Sequence, residues 1–145
     1  MLQKKDMGFF SVAESVAKLS TWSDKSSEQI GAVIVHKNEI ISTGYNRNKG
    51  NQLHGLMAMK AGRPESYVAH AETSALMKLI KIYGWNRSLS QKKELANMKI
   101  FVFRKTSLGL GLARPCEICT AAIKFLGISS VYYTTDDGYA YENFI

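Results

Sequence analysis

Two short clusters in this 145-residue chain carry residue types that could bind a metal ion. One holds His70 and Glu72, and the other holds Cys116 and Cys119, three residues apart and directly after Pro115. A Cys-x-x-Cys pair alone fits a redox pair, half of a zinc knuckle or two buried thiols. A redox pair of the thioredoxin type follows an early strand, whereas these cysteines come late, after a long loop.

A catalytic zinc ion would explain both clusters together. Such an ion takes three protein ligands and keeps a fourth position open, and His70 with the two cysteines supplies three suitable donors. Two thiolates neutralise the charge of the ion, and a helix N-terminus lowers the pKa of a thiol. Glu72 is then a spare carboxylate for proton transfer. A four-ligand structural site would need His36 or His54, and neither has a partner at ligand spacing.

The sequence around both clusters predicts the helices that carry them. Apolar residues recur at helical spacing after His70 and stop at Gly84, so His70 opens one helix. Pro115 suits the first turn of a second helix, for which Gly127 is a good C-terminal stop. A strand over residues 98–103 lies between the two helices in sequence. The two clusters therefore lie at the starts of two helices.

The remaining segments predict one sheet with helices packed on it. The apolar residues of 9–19 recur at helical spacing and predict a first helix. Residues 31–43 predict a β-hairpin with its turn at 36–39. Residues 44–66 are polar and basic and are expected to be mostly loop, with 53–61 as a possible short helix. Two last strands flank the Asp137-Gly138 step, which is a strong hairpin signal. This order of elements predicts an α/β sandwich.

Length and composition indicate one globular domain over residues 1–145. Hydrophobic residues make up 46% of the chain and charged residues 21%, a normal globular balance. The longest apolar runs are too short to cross a bilayer. The N-terminus lacks the apolar segment of a secretory signal, and two cysteines only three residues apart cannot form a disulfide scaffold, so a cytoplasmic protein is expected.

The net charge of +7 comes from two basic clusters. Residues 46–63 contain four Lys or Arg and no acid, and residues 78–105 contain eight against Glu94 alone. Such a balance favours anionic partners, from a nucleotide phosphate to a polynucleotide. A solvated basic surface is the alternative.

Together, the two metal-binding clusters resemble the H-x-E…P-C-x-x-C signature of the cytidine/deoxycytidylate deaminase superfamily. The end of the first hairpin, Gly44-Tyr45-Asn46, is similar to the strand-end Gly-Tyr-Asn of deoxycytidylate deaminases. The likeness covers about residues 30–134. It implies a three-layer α/β/α sandwich of cytidine deaminase type, with a mixed sheet and a C-terminal β-hairpin. It also implies a homo-oligomer.

The resemblance further implies zinc-dependent hydrolytic deamination of a cytosine base. Zinc held by the one histidine and two cysteines would activate water to attack C4 of the base, and Glu72 would carry protons to the ring nitrogen and the departing ammonia. The substrate-binding residues would be Asn46, Ala71, Arg114 and Pro115. For Asn46, an ordinary turn residue after Gly44 is the alternative.

The family pattern gives conflicting indications of the substrate, because Gly44-Tyr45-Asn46 is nucleotide-like, whereas the C-terminal hairpin is nucleoside-like. Arg47-Asn48-Lys49-Gly50 stands where deoxycytidylate deaminases usually have a Gly and a Pro. Asp137-Gly138 leaves no room for a helix between the last two strands, so these strands should be antiparallel, as in the nucleoside branch. A cytosine nucleoside or nucleotide is the first expectation. A 5′-phosphate would pair with one of four basic side chains, Arg47, Lys49, Arg63 or Arg114.

Two other functions remain open on the sequence. A deaminase of bases in single-stranded DNA or RNA would use the basic residues of 78–105 and stacking aromatic rings, for example Tyr67, Trp85, Tyr132 or Tyr139. A non-catalytic zinc-stabilised binding domain is the other alternative. Glu72 argues against it, because a structural site has no use for a carboxylate that does not bind the ion.

Overall fold

The computed structural model describes residues 2–20, 29–66 and 68–144. Along the chain, the helices and strands are α1 (Lys4–Ala17), β1 (Gln29–His36), β2 (Glu39–Tyr45), α2 (Gln52–Lys60), α3 (Ala71–Tyr83), α4 (Leu89–Ala96), β3 (Lys99–Thr106), β4 (Gly109–Leu110), α5 (Glu117–Leu126), β5 (Ser130–Thr135) and β6 (Gly138–Asn143). Among these described helices, none combines the length and apolar character that crossing a membrane requires.

The strands of the described chain form one mixed sheet in the order β2-β1-β3-β5-β6, with β4 paired to the end of β3. Only β3 and β5 run parallel, with Ile100 opposite Val131, and α5 supplies the crossover that a parallel pair needs. The β5–β6 pair is an antiparallel hairpin in which Thr135 faces Gly138. The structure therefore confirms the mixed sheet and the C-terminal hairpin.

Helices cover both faces of the sheet, and each face has its own apolar core. Successive residues of β3 point to opposite sides, so Phe101 packs with Phe10 of α1 on one face. Ile100 and Val102 join Leu76 of α3 in the core of the other face. The result is the predicted three-layer α/β/α sandwich.

Close approach of α3 to β2 fixes where the start of α3 lies. A Cβ atom on Gly44 would lie 2.4 Å from the carbonyl oxygen of Ala71 and 2.5 Å from the backbone nitrogen of Ala75. Only glycine leaves room for this contact. It brings the first turn of α3 against the end of β2, where Asn46 follows.

One helix confirms the possible short helix at 53–61, and another helix was not predicted. Residues 44–66 contain a full helix, α2, which begins after Asn51, whose Oδ1 accepts a hydrogen bond from the His54 backbone N–H at 2.8 Å. The helix α4 was not predicted, because it buries only Leu95 and so lacks an apolar stripe. Its signal was the capping box of Ser88 and Gln91, in which each side chain bonds the backbone of the other residue.

Candidate active site

The starts of α3 and α5 bring the two predicted metal-binding clusters together. His70 is the N-cap residue of α3, and Cys116 is the N-cap residue of α5, with Cys119 in its first turn. The Nδ1 atom of His70 lies 3.5 Å from Sγ of Cys116 and 3.4 Å from Sγ of Cys119. Three donors that are up to 49 residues apart in sequence thus converge on one point.

These separations fit a tetrahedral zinc ion. With Zn–S near 2.3 Å and Zn–N near 2.0 Å, a nitrogen and a sulfur ligand are about 3.5 Å apart. The two sulfur–nitrogen distances agree with that value, and one imidazole with two thiolates is a donor set that zinc prefers. The residues present therefore fit zinc.

Electrostatic interactions among these three side chains stabilise a thiolate at Cys116 and the protonated form of His70. A hydrogen bond from the Cys119 thiol, together with the neighbouring His70, lowers the pKa of Cys116 to about 3. The hydrogen bond to Cys116 raises the pKa of His70 above its ordinary value. Burial raises the pKa of Cys119 instead, so its thiol keeps its proton until a metal displaces it.

Glu72 lies in the first turn of α3 and is almost completely buried, with 5% of its surface exposed. Burial is the largest cause that raises the pKa of its carboxyl, because a charged carboxylate is poorly solvated there. A carboxyl whose pKa is raised holds its proton more tightly than a solvated carboxyl does. Glu72 is therefore a buried ionisable group within the same first helical turn that follows His70.

A cavity of about 330 Å³ opens onto this cluster. Its volume falls at the lower end of small-molecule sites. Residues from several strands, helices and loops line it: Ile30, Asn46, Val68, Ala69, His70, Glu72, Val102, Arg104, Leu112, Ala113, Arg114 and Cys116. The cavity therefore brings together two of the three candidate metal ligands, His70 and Cys116, with the buried carboxyl of Glu72 and two arginines.

Two of the four predicted substrate-binding residues line this cavity. Asn46 is held in place because its Oδ1 accepts a hydrogen bond from the Ile30 backbone N–H at 3.0 Å. Arg114 lies on the cavity wall with a partly exposed side chain. The structure places Ala71 and Pro115 differently: both are buried next to the metal donors, outside the lining of the described cavity.

His54 also reaches the metal donors, which sequence reasoning missed. The centre of its buried ring lies 4.7 Å from the centre of the His70 ring. One nitrogen of His54, one nitrogen of His70 and the Sγ atom of Cys119 all lie within 4.8 Å of one another. Nδ1 of His54 is 2.9 Å from Oγ1 of Thr73, which accepts a hydrogen bond from the His70 backbone N–H. Burial and the neighbouring His70 lower the pKa of His54. No spacing signal could reveal this contact, because His54 comes from a separate helix.

A second cavity, of about 210 Å³, is lined by basic side chains from both basic clusters of the sequence. Arg47 and Lys49 come from the loop after β2, and Lys78 and Lys81 come from α3. Lys78 Nζ donates a hydrogen bond to the carbonyl oxygen of Thr43 at 2.7 Å. The four cations thus meet beside the end of β2.

The aromatic rings proposed for base stacking are mostly engaged within the protein. Tyr132 is buried and stacks on Phe101, and the Tyr139 ring lies 4.6 Å from that of Phe10. Trp85 is partly exposed and contacts Phe125. Tyr67 lies outside the described residues.

Comparisons of the sequence with known proteins find a matching family model and a similar protein. The sequence model of the cytidine and deoxycytidylate deaminase zinc-binding region matches residues 3–135. A protein of Aliivibrio fischeri, described as an uncharacterized deaminase in the luxG 3′ region, is 32% identical over 136 residues, which are 91% of this chain and 74% of that protein.

Solved structures share the fold. The cytidine deaminase of Burkholderia pseudomallei superposes with a TM-score of 0.62 at 15% identity, over 99% of this chain and 94% of that one. The apo dCMP deaminase of cyanophage S-TIM5 gives a TM-score of 0.58 at 22% identity, over 95% of this chain and 89% of that one. At these identities, the likeness concerns the fold alone.

Proposed function

Because the chain belongs to the cytidine and deoxycytidylate deaminase family, we propose that it is a zinc-dependent hydrolytic deaminase of a cytosine nucleoside or nucleotide. The observation that carries this proposal is the pair of sulfur–nitrogen distances of 3.5 and 3.4 Å beside the buried Glu72. A purely structural zinc site gives no reason for an acid–base group at the wall of a cavity.

In this proposal, His70, Cys116 and Cys119 hold the zinc ion. Bound zinc is a Lewis acid that makes water nucleophilic near neutral pH. Both helices direct their N-termini at the site, and the positive ends of their dipoles stabilise the two thiolates.

Glu72 moves the protons of the reaction. Its carboxylate takes one proton from the attacking water and delivers it to the ring nitrogen of the base next to C4. Once the water oxygen is bonded to C4, the same carboxylate takes the remaining proton of that hydroxyl group and passes it to the amino group, so that the C4–N bond breaks, ammonia leaves and the C4 oxygen becomes the carbonyl of uracil. Cytosine and water thereby become uracil and ammonia, with Glu72 regenerated.

The cavity wall positions the substrate. Asn46, fixed by its bond to Ile30, faces the cavity and is suited to bind the sugar or base by a hydrogen bond. Arg114 supplies a guanidinium at the same wall. Ala71 and Pro115 are buried directly beside His70 and Cys116, and their contribution is to hold these two ligands in position.

Ammonia release from cytidine, deoxycytidine and their 5′-monophosphates tests this function. Zinc-loaded protein is expected to release ammonia from at least one of the four. Glu72→Gln is the matched control, since it keeps the shape of the side chain and loses the acid. A lack of ammonia from all four compounds with fully zinc-loaded protein would contradict the proposed substrate class.

The second cavity favours one other candidate, a deaminase of bases in single-stranded nucleic acid. Four cations in one concave surface, with no acidic side chain among the residues that line it, suit a phosphate backbone. The same assay with a cytosine-bearing oligonucleotide separates the two candidates. Substituting Lys78 and Lys81 by Gln should weaken oligonucleotide binding and leave mononucleotide turnover unchanged.

We also propose that residues 1–145 act as one domain and that the protein is a homo-oligomer. Several large apolar side chains are exposed on the helices, among them Met59 and Ile82. Light scattering after size-exclusion chromatography tests the assembly, and a mass equal to the 16.2 kDa chain would contradict it.

A further inference from the structure

The guanidinium of Arg114 is engaged by the last strand of the sheet. Arg114 Nε donates to Oε1 of Glu142 at 2.8 Å, and Nη2 donates to Oε2 at 2.7 Å. The Tyr133 hydroxyl donates a third hydrogen bond to Glu142 Oε1, at 3.1 Å. Phe144 lies under the guanidinium, with its ring centre 5.6 Å from Cζ. One face and one edge of Arg114 are thus fixed by β5, β6 and the residue after β6.

This pairing occupies the edge of Arg114 that best matches a phosphate. Arginine binds both carboxylates and phosphates through two parallel N–H bonds from one edge. Glu142 already takes the edge formed by Nε and Nη2 and neutralises the charge. The bond from Arg114 is also the main cause that lowers the pKa of Glu142, so this carboxylate stays charged at neutral pH. What remains for a ligand in the cavity is the end of the guanidinium, with two N–H groups on Nη1 and one on Nη2, and its charge is already balanced by Glu142.

We propose that Glu142 is a specificity-determining positioning residue, which withholds the Arg114 fork from phosphate and thereby directs the enzyme to substrates without a 5′-phosphate. This inference rests on the proposed function and narrows its substrate to a nucleoside. Glu142 acts through Arg114, and its own side chain is not among those that line the described cavity.

Arg104 is the other arginine of the cavity wall, and its effect on phosphate binding can be separated from that of Arg114. Its Nη1 donates to the carbonyl oxygen of Leu112 at 3.1 Å, on the loop that precedes Arg114. Arg104 is unchanged in every variant compared below. A difference between those variants therefore reports on Arg114 and Glu142.

The test compares kcat/KM for cytidine with that for CMP, and for deoxycytidine with that for dCMP. The wild type is expected to prefer the nucleoside of each pair. Glu142→Gln should raise the nucleotide-to-nucleoside ratio about tenfold, because a charge-assisted bond from Arg114 to phosphate becomes available. The higher ratio should come from a lower KM for the nucleotide, with kcat for the nucleoside unchanged. A wild type that prefers the nucleotide, or an unchanged ratio in Glu142→Gln, would overturn the proposal.

Two further variants test whether the changed nucleotide-to-nucleoside ratio of Glu142→Gln comes from Arg114. The double variant Glu142→Gln with Arg114→Gln should lose the gain, since no fork remains to bind phosphate. Tyr133→Phe is the matched control, because it removes one hydrogen bond to Glu142 and leaves the pair with Arg114 intact. Its ratio should equal that of the wild type.

Inorganic phosphate gives a readout that does not depend on turnover. Phosphate should raise the melting temperature of zinc-loaded Glu142→Gln more than that of the wild type or of the double variant. Equal shifts in all three proteins would overturn the role of Glu142. If phosphate distinguishes the variants while no cytosine compound is deaminated, the proposed function fails and the assignment of Glu142 stands.

Discussion

Gly44 and Ala71 are in such close backbone contact that a Cβ atom on Gly44 would lie 2.4 Å from the Ala71 carbonyl oxygen. The contact seats the first turn of α3 against the end of β2. Because His70 and Glu72 flank Ala71, the same contact sets the positions of the proposed metal ligand His70 and the proposed acid–base residue Glu72 relative to Asn46. Packing between a strand and a helix thus determines the geometry of the site.

Gly44→Ala should therefore damage both stability and activity. The added methyl group forces α3 away from β2, at a cost of about 1–3 kcal/mol in the free energy of unfolding. Urea denaturation measures the loss, and ammonia release measures the effect on the site. Gly55→Ala is the control: Gly55 lies within α2 with nothing within 4 Å of an added Cβ, so the change should stabilise the protein by about 0.5–1 kcal/mol. Equal stability of the two variants would contradict this role of Gly44.

Thr73→Val should weaken zinc binding. The Thr73 hydroxyl accepts a hydrogen bond from the His70 backbone and contacts His54 Nδ1 at 2.9 Å, so its loss removes support behind a metal donor. Losses of such supporting bonds weaken metal affinity by about 10–100-fold. Competition with a chelator measures the affinity.

Ser88→Ala is the control for that measurement. It removes the side-chain cap of α4, which lies away from the metal donors, and should cost about 1 kcal/mol of stability. Its zinc affinity should equal that of the wild type. If both variants lose affinity equally, the effect of Thr73→Val reflects general destabilisation and not support of His70.

Tyr83 should make the protein less stable at high pH. Burial and the hydrogen bond from its hydroxyl to Glu94 Oε1 raise the pKa of Tyr83 to about 12, above the ordinary value of 10.0. A raised pKa means that the folded state binds the proton more tightly, so this stability is complete below pH 10 and is lost as the pH rises toward 12.

Spectrophotometric titration of the wild type and Tyr83→Phe measures this pKa. The difference between the two curves should be one tyrosine that ionises near pH 12. A difference curve centred near pH 10 would show that Glu94 and burial do not act on Tyr83. Urea denaturation of both proteins between pH 8 and 11 should show the larger loss of stability in the wild type.

Much of the fold was predictable because each element carried a local signal. The apolar stripe that ends at Gly84 placed α3, and the Asp137-Gly138 step placed the last hairpin, as the structure confirms. Helix α4 could not be predicted from hydrophobic periodicity, because it buries only Leu95 and therefore has no repeating apolar residues. The short helix α2 was only a possibility on the sequence, since polar and basic residues conceal its buried face.

The cavity needed the structure, because its contacts join distant segments. His54 meets His70 across two helices, and Arg114 meets Glu142 across 28 positions of the chain. Neither pair has a spacing signal. The clusters of His70 with Glu72 and of Cys116 with Cys119 were visible because each lies within a few residues at the start of one helix.

The most direct test measures bound zinc and released ammonia on the same samples of wild type and Glu72→Gln. If His70, Cys116 and Cys119 hold the ion and Glu72 moves the protons, both proteins contain one zinc per chain and only the wild type releases ammonia from a cytosine nucleoside or nucleotide. Equal ammonia release from the two proteins, or a wild type that binds no zinc, would contradict the account.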